Sequence, residues 1–344
     1  MEYILLEDCC EILDSMRIPI TASSREKGIY PYYGANGIQD YVSSYIFDDD
    51  LVLLAEDGGS FGSKTKPIAY RVSGKCWVNN HAHVLKPKEG MDVDFLCYSL
   101  MFYNTEGLIN GATRQKLTQS AMRKMKIPKL HIDIQRNIVK EIKSVKSIIE
   151  ISGKQLEKLS LLVRARFVEL FGNPAINDKE WKVCRLGDEC KVINGRAYKT
   201  EELLDKGKYQ VLRVGNFFTN NTWYYSDLEL EKDKYCEDGD LLFAWSASFG
   251  PRIWHGKKVI YHYHIWKLTG YENCLNKNFF VELLNYNCEA MKADTHGSTM
   301  LHFTKAQMEE QQLILPPIAI QEQFATFVEQ VNKSKFIVKN RIRV

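Results

Sequence analysis

The middle of the chain, residues 134–171, reads IQRNIVKEIKSVKSIIEISGKQLEKLSLLVRARFVELF. This stretch contains no proline and one glycine, and its apolar residues fall at 138, 142, 145, 149, 156, 159, 163, 167 and 170. Steps of three and four place a narrow apolar seam along one helix, as in a coiled coil. At 1.5 Å per residue the helix would extend about 57 Å. Gly172-Asn173-Pro174 then ends it, because glycine caps helices and proline cannot continue one.

On either side of this helix the sequence repeats itself, at offsets of 180 to 190 residues. The matches keep one order, which indicates a tandem duplication. They pair residues 6–13 with 186–193, 50–53 with 240–243, 60–62 with 248–250, 81–86 with 262–267, 111–122 with 297–308, and 127–135 with 315–323. The last match aligns Gln135 with Gln323.

Each repeat begins with short strand-like runs separated by Gly, Asn and Asp turns, and ends in a helix. Thr118 and Thr304 predict N-caps for short helices at 119–125 and 305–311. The predicted fold class is α+β, with two strand-rich α/β domains in tandem. We divide the chain into a first domain at 1–130, a central helical segment at 131–174, a second domain at 175–316 and a shorter C-terminal helical segment at 317–344.

The seam of the central helix needs a partner, and the equivalent C-terminal helix offers one. Packed as an antiparallel coiled coil, the two helices would hold the domains apart and relate them by an internal pseudo-twofold axis. Two heads at a fixed spacing suit a DNA duplex, whose strands are themselves related by dyads. The predicted residues for the coiled coil or for partner binding are Ile138, Ile142, Val145, Ile149, Leu156, Leu159, Val163, Phe324, Phe327 and Val331.

Composition excludes several classes of protein. Apolar residues make up 45% of the chain, too many for a disordered protein. The 46 basic and 43 acidic residues give a net charge of +3, so bulk charge does not indicate a nucleic-acid partner. The nine cysteines form no C-x-x-C pair, which argues against a zinc ribbon or a disulfide framework. No signal peptide or membrane span is evident, so we expect a cytoplasmic protein with reduced thiols that does not bind membranes.

Several motifs recur in a fixed order along the whole chain. They are the Leu-x-Asp openings at Leu6 and Leu186, YPYYGANGI at 30–38, Gly111-Ala112-Thr113 followed by Thr118, RFVELFGNP at 166–174, and Pro316-Pro317-Ile318 followed by Gln323. In this order and duplication, the chain resembles the DNA specificity subunit of type I restriction-modification systems.

The resemblance implies two target recognition domains, each reading one half of a bipartite DNA site, with the helices setting the spacer and docking the modification subunits. It implies no catalytic activity and no cofactor for this chain. The implied partners are double-stranded DNA, two methyltransferase subunits that modify adenine with S-adenosylmethionine, and restriction subunits that use ATP and Mg²⁺ to translocate and cleave DNA.

Arg, Asn and Gln are the side chains best suited to reading base edges, since they pair bidentately with guanine and adenine. The glycine-rich loop at 57–62 would offer backbone N–H groups to phosphates, although a plain turn explains it equally well. The candidates for DNA contact are Tyr33, Asn36, Ser60, Lys64, Arg114, Gln115, Lys116, Arg213, Asn216, Trp245, Ser246, Arg252, His302 and Lys305. A core position is also open for Trp245, which follows an apolar run.

Two histidine pairs, His81-x-His83 and His262-x-His264, are the most enzyme-like features of the sequence. Alternate residues of a strand share a face and could share a metal ion. Neither pair has an evident third ligand, so packing and hydrogen bonding are favoured, while contact with DNA stays open. Two other functions therefore remain as alternatives: a coiled-coil adaptor with two ligand- or protein-binding heads, and a metal-dependent enzyme that uses the His-x-His strands.

Overall fold

The computed structural model describes residues 2–111, 115–219, 222–246, 249–294 and 304–342. The chain forms two units, residues 1–148 and 149–344, each with strands and helices. No helix in these described ranges combines the length and apolarity needed to cross a bilayer. All nine cysteines are free thiols. The α+β class predicted from the sequence is confirmed.

Unit 1 is rich in strands. They are β1 (Tyr3–Leu5), β2 (Cys10–Ile12), β3 (Lys27–Gly34), β4 (Gly37–Val42), β5 (Phe47–Ala55), β6 (Ala69–Val78), β7 (Ala82–Pro87), β8 (Ile109–Asn110), β9 (Lys116–Leu117) and β10 (Lys126–Pro128). Its helices are α1 (Leu6–Cys9), α2 (Val93–Met101) and α3 (Gln119–Arg123), with 3₁₀ turns at Asp14–Met16 and Ala22–Ser24. The long helix α4 (Ile132–Phe171) follows.

Unit 2 is likewise built from strands and helices. Its strands are β11 (Lys182–Arg185), β12 (Lys191–Asn194), β13 (Tyr209–Leu212), β14 (Tyr224–Ser226), β15 (Tyr235–Cys236), β16 (Leu241–Ala244), β17 (Gly250–Ile253), β18 (Val259–Tyr261), β19 (Ile265–Thr269) and β20 (Gln312–Leu315). Its helices are α5 (Leu186–Glu189), α6 (Val214–Thr219), α7 (Lys277–Asp294), α8 (Lys305–Glu309) and α9 (Ile318–Ile342), with 3₁₀ turns at Thr200–Glu202 and Lys232–Lys234.

Matching strand orders confirm the duplication. The order β2-β7-β5-β6 in unit 1 corresponds to β12-β19-β16-β17 in unit 2. In each unit the first and last strands form a separate antiparallel pair, β1 with β10 and β11 with β20. A parallel pair also recurs, β3 beside β6 and β13 beside β18. Each unit therefore repeats one topology, as the sequence offsets predict.

Threonine N-caps begin equivalent short helices in the two units. The Thr118 hydroxyl accepts from the N–H of Ala121 at 3.3 Å, and the Thr304 hydroxyl accepts from the N–H of Gln307 at 3.2 Å. Each cap therefore satisfies a donor that a helix start leaves unpaired. Both helices end about two residues before the predicted positions, at Arg123 and Glu309.

Two buried glutamines correct one detail of the predicted repeat. The Gln135 side chain accepts from the N–H of Asp92 at 2.9 Å and donates to the carbonyl oxygens of Gly90 and Leu130. In unit 2 the same three bonds are made by Gln321, to Asn276, Cys274 and Pro316. The counterpart of Gln135 is therefore Gln321, not Gln323, because hydrogen bonding rather than the spacing of prolines sets the register.

The second part of α4 packs in unit 2 against α9, and the two helices run antiparallel. The rings of Phe171 and Phe324 lie 5.5 Å apart, while further along Leu159 and Val338 line the same groove. Residue numbers therefore rise on one helix as they fall on the other. Val163, Phe324 and Val331 of the predicted seam are buried in the unit 2 core, and Leu159 and Phe327 pack against it. The expected antiparallel pairing is confirmed for this part.

The remaining seam residues have other environments, which corrects the prediction of one continuous buried seam. Val145 and Ile149 are 54% and 47% exposed. Among the described residues, neither side chain belongs to the core of unit 1 or of unit 2. Ile138 packs instead against the core of unit 1. Ile142 and Leu156 are half-buried.

Candidate nucleic-acid interface

Three of the residues predicted to contact DNA surround one cavity of unit 1. This cavity has a volume of about 600 Å³, and its lining includes Tyr33, Asn36, Ser60, Lys66 and Tyr70. The side-chain amide of Asn36 donates to the carbonyl oxygen of Gly58 at 2.9 Å. The hydroxyl of Tyr70 donates to the carbonyl oxygen of Gly34. The first bond joins the turn after β3 to the loop after β5, and the second joins β6 to the end of β3. The glycine-rich loop is therefore one wall of the cavity.

The other candidates of unit 1 have separate positions: Lys64 lies in the loop after β5, and Lys116 begins β9. Lys64 and Gln115 are exposed. Lys116 is exposed too, but its ammonium group lies 3.0 Å from Oε1 of Glu56. Arg114 falls outside the described residues. The structure therefore brings Tyr33, Asn36 and Ser60 together, while Lys116 belongs to an ion network beside them.

This ion network is centred on the fully buried side chain of His83. Nδ1 of His83 lies 2.6 Å from Oδ2 of Asp14, and Nε2 lies 2.9 Å from the carbonyl oxygen of Leu117. Because a carbonyl oxygen only accepts, Nε2 carries a hydrogen. Gln119 and the backbone N–H of Val84 also donate to Asp14, both at 2.9 Å.

Glu56 is the second carboxylate of the network. Arg17 donates to its Oε2 at 2.6 Å and, through the same nitrogen, to the carbonyl oxygen of Ala82 at 2.8 Å. Lys116 pairs with the other oxygen of Glu56, and the N–H of Leu117 donates to its backbone carbonyl at 2.7 Å. Residues 116 and 117 are thereby fixed to the sheet through both side chain and backbone.

The pKa shifts of the two carboxyl groups define the charge of the network. Burial raises the pKa of Asp14, but hydrogen bonds from His83, Gln119 and Val84 outweigh it and leave the pKa below its ordinary value. Burial likewise raises the pKa of Glu56, but hydrogen bonds from Arg17 and Lys116 outweigh this effect. The pKa of Glu56 is therefore also below its ordinary value. Since Asp14 is ionised, the hydrogen in its contact with His83 sits on Nδ1. In this hydrogen-bond pattern both ring nitrogens of His83 act as donors.

Asp14, Glu56 and His83 also have donor atoms within 4.8 Å of one another, close enough for a shared metal ion. The sequence pattern pointed to His83 but missed both carboxylates, which lie far from it along the chain. A metal ligand must present a lone pair, whereas both nitrogens of His83 carry hydrogens. The carboxylate oxygens already accept from Arg17 and Lys116. This donor set fits an ion network better than a metal site.

His81 does not share a strand face with His83, contrary to the pattern argument. It lies in the turn before β7, where strand alternation does not apply. Its Nδ1 is 2.6 Å from Oδ1 of Asp57, and about a third of its side chain is exposed. The two histidines of unit 1 therefore differ: one is buried in an ion network and the other lies at the surface.

A second cavity lies in unit 2, at the end of β13. It has a volume of about 300 Å³, and its lining includes Arg213, Val214, Asn216, Thr222, His262 and His264. Arg213 is exposed, and its guanidinium lies 5.2 Å from the ring centre of Tyr224. Asn216 is buried, and its side chain accepts from the N–H of Arg213 at 3.3 Å and donates to the carbonyl of Thr222 at 3.1 Å. Asn216 therefore supports the loop that carries Arg213.

The remaining candidates of unit 2 are scattered. Trp245 packs against the core, stacked 5.7 Å from Trp266, and donates from its ring N–H to the carbonyl of Tyr263 at 2.8 Å. Ser246 is nearly buried. Arg252 is exposed, with its guanidinium 5.0 Å from the ring centre of Phe218. Lys305 is exposed at the start of α8, 3.5 Å from Glu309. His302 lies outside the described residues.

The pKa of His262 distinguishes it from an ordinary surface histidine. Burial, together with the neighbouring His264 and Arg213, lowers its pKa to about 4. The backbone N–H of His264 lies 3.5 Å from Nδ1 of His262, which leaves the hydrogen of the neutral ring on Nε2. His262 is therefore an uncharged hydrogen-bond donor on the wall of this cavity.

We expect H262N to make the stability of the chain less sensitive to acid. The ordinary pKa of histidine is 6.5 and that of folded His262 about 4, so the unfolded chain binds the proton first as pH falls. The stabilisation is full above the higher value and is lost as pH falls toward the lower one. Urea unfolding at pH 7 and pH 5 measures this loss. H255N, at an exposed histidine of the same unit, is the control. An equal loss in wild type and H262N would contradict the assignment.

Lys66 and His262 are among the lining residues that were not predicted as DNA contacts. Lys66 lies between the glycine-rich loop and Pro67, and its place in a loop was the available signal. His262 was noted, but with a packing role favoured. Residue type and spacing alone do not bring these residues to a cavity, so only the fold shows that they line one.

Comparison with known proteins decides the family. The family model described as the type I restriction modification DNA specificity domain matches residues 1–161 and 178–343, nearly the whole chain. The chain belongs to this family. Its function is sequence-specific recognition of DNA, and the family is non-catalytic. The adaptor and the metal-dependent enzyme are accordingly not favoured.

Individual relatives agree with this family. A chain named as a type I restriction enzyme specificity subunit in Haemophilus influenzae is 30% identical over 262 residues, which cover 74% of this chain and 67% of that one. A type I restriction enzyme specificity subunit of Escherichia coli is 24% identical over 160 residues, covering 45% of this chain and 34% of that one. A crystal structure of the type I restriction-modification S subunit from M. genitalium has a TM-score of 0.61 and 15% identity, covering 99% of this chain and 92% of that one. This structural likeness shows the fold.

Proposed function

We propose that unit 1 and unit 2 each read one half of a bipartite DNA site. The observation that carries this proposal is a pair of cavities at equivalent places, since each lies where a strand of the recurring parallel pair ends. The carbonyl of Tyr33, on β3, accepts from the N–H of Asn79 at 3.0 Å, and the carbonyl of Leu212, on β13, accepts from His262 at 2.9 Å. Each unit therefore has a cavity at the same place in its topology, at the end of a strand of the parallel pair.

The chemistry of the two cavities differs, which supports unequal half-sites. Two tyrosines, Tyr33 and Tyr70, line the cavity of unit 1 with a lysine beside them. An arginine and two histidines line the cavity of unit 2. Base edges are distinguished by their pattern of donors, acceptors and methyl groups. Two cavities with different side chains would therefore select different base pairs.

The helices supply the second part of the proposal. A pair of long helices would set the distance between the half-sites and offer a docking surface for two methyltransferase subunits. Several large apolar residues of α4 and α9 are exposed in unit 2, as expected for a surface that another protein covers: Ile151, Leu161, Leu162, Phe336 and Ile337. The methyltransferases would use S-adenosylmethionine to modify adenine, and restriction subunits would use ATP and Mg²⁺. The chain itself would need no cofactor.

Y33A tests the assignment of one half-site to unit 1. The chain is assembled with its methyltransferase subunits and used to select binding sites from a random duplex library. We expect a motif in two separated parts, and we expect Y33A to weaken selection in one part by about 10-fold, because a single base contact contributes about 1–3 kcal/mol.

Y41A is the matched control, since Tyr41 is a half-exposed tyrosine of the same unit that does not line the cavity. It should leave both parts of the motif unchanged. Equal effects of Y33A on both parts, or an unchanged motif, would contradict the assignment.

A further inference from the structure

The guanidinium of Arg213 is held in place at the unit 2 cavity. Arg213 follows directly after β13, and Asn216 bonds to its backbone N–H and to the carbonyl of Thr222. The face of Tyr224 lies beneath the guanidinium, at 5.2 Å. The backbone and side chain of Arg213 are thus both ordered before a ligand binds. This order lowers the entropic cost of binding.

The partners of this guanidinium are not acidic side chains. Among the described residues no carboxylate lines the cavity or lies within ion-pair distance of Arg213, although other arginines of unit 2 have such partners: Arg185 pairs with Glu310 and Arg196 with Glu202. The guanidinium is exposed and turned toward an opening rather than neutralised within the fold. A hydrogen-bond acceptor from a bound ligand could therefore pair with this guanidinium.

The second polar group of the cavity is also a donor. His262 is neutral, and its Nδ1 faces the backbone N–H of His264, so Nε2 carries the hydrogen. The Oδ1 of Asn216 accepts from Arg213, and its amide donates to Thr222, so these bonds are directed within the loop. Among the described lining residues, Arg213 and His262 therefore both offer N–H donors.

Two N–H donors at one cavity can select among the four bases. In the major groove guanine presents two adjacent acceptors, N7 and O6, whereas adenine and cytosine present an amino donor and thymine a methyl group beside its oxygen. We propose, building on the DNA-reading function of unit 2, that Arg213 reads a guanine through N7 and O6, with His262 as the neighbouring donor. A DNA phosphate also offers adjacent acceptors, but a phosphate site would favour more than one cation.

R213K tests this proposal, because lysine keeps the charge and loses the two-pronged geometry. Binding sites are selected from a random duplex library by the chain assembled with its methyltransferase subunits. We expect the wild type to require a G·C pair at one position of one half-site, and R213K to lose about 10- to 100-fold of that discrimination while every other position is kept. R185K, at an exposed arginine of the same unit outside the cavity, should leave the motif unchanged.

Other outcomes distinguish failure of the guanine proposal from failure of the proposed DNA-reading function. If R213K weakens all duplexes equally and lowers the salt dependence of binding, the contact is with phosphate and the guanine proposal is overturned. An unchanged motif with unchanged affinity overturns it as well. If the wild type selects the unit 1 half alone, the cavity of unit 2 reads nothing. If it selects no sequence, the proposed function itself fails.

Discussion

Replacing Asp14 with alanine is expected to lower the free energy of unfolding of unit 1 by about 3–5 kcal/mol, because breaking a buried ion pair leaves an uncompensated charge. Asp14 accepts from His83, Gln119 and the N–H of Val84 at 2.6, 2.9 and 2.9 Å. Without the carboxylate, the buried ring of His83 loses its closest hydrogen-bond partner. Hydrogen exchange in β5 and β7, followed with increasing urea, measures the effect within unit 1.

Asp50 provides the matched control. It lies on β5 of the same sheet, is exposed, and pairs with Arg71 at 2.9 Å. D50A should change stability by at most about 0.5 kcal/mol, as exposed ion pairs do. Because the pKa of Asp14 is lowered, its stabilisation is present at neutral pH and is lost as acid protonates it. D14A should accordingly flatten the acid side of the pH profile. Equal effects of D14A and D50A would show that the buried network contributes little.

Replacing Phe324 with alanine is expected to destabilise unit 2 by about 3–5 kcal/mol, through lost burial and the cavity left behind. The side chain of Phe324 is fully buried, and its ring meets those of Phe167 and Phe171 edge-on at 5.6 and 5.5 Å. These contacts join α9 to the second part of α4. Urea unfolding followed by tryptophan fluorescence reports on unit 2, because the Trp181 ring N–H donates to the carbonyl of Phe171 at 2.9 Å.

Phe336 is the same residue type on the same helix, but it is 64% exposed. F336A should therefore change stability by at most about 0.5 kcal/mol. If F324A were as mild as F336A, the packing of α9 on α4 would not stabilise unit 2, and a rigid spacer built from these helices would lose its physical basis.

The repeat explains how much of the fold could be predicted. Threonine caps and apolar runs are local signals, so the elements around Thr118 and Thr304 followed from sequence. Helices α2 and α7 were missed, although Asp92 caps α2 by accepting from two backbone N–H groups, at 2.9 and 3.0 Å. The register of Gln135 with Gln321 was also missed, because it depends on bonds to loops that precede the helices.

The candidate site was less predictable, for a physical reason. Tyr33, Asn36 and Ser60 were named from residue type, and the fold brings them to one cavity. The partners of His83 lie about 30 to 70 residues away in sequence, so no spacing rule finds them. Asn216 has the residue type of a base reader, yet both ends of its amide bond to its own loop. Residue type identifies candidates, whereas hydrogen bonds decide which of them face outward.

We propose that this chain directs modification to a DNA sequence read in two unequal halves. Long-read sequencing of DNA from cells that express the chain with its methyltransferase subunits tests it most directly, by mapping every methylated adenine. We expect one motif of two different parts, separated by a gap of constant length and unspecified sequence. A single uninterrupted motif, two identical halves, or methylation without a common sequence would contradict the account.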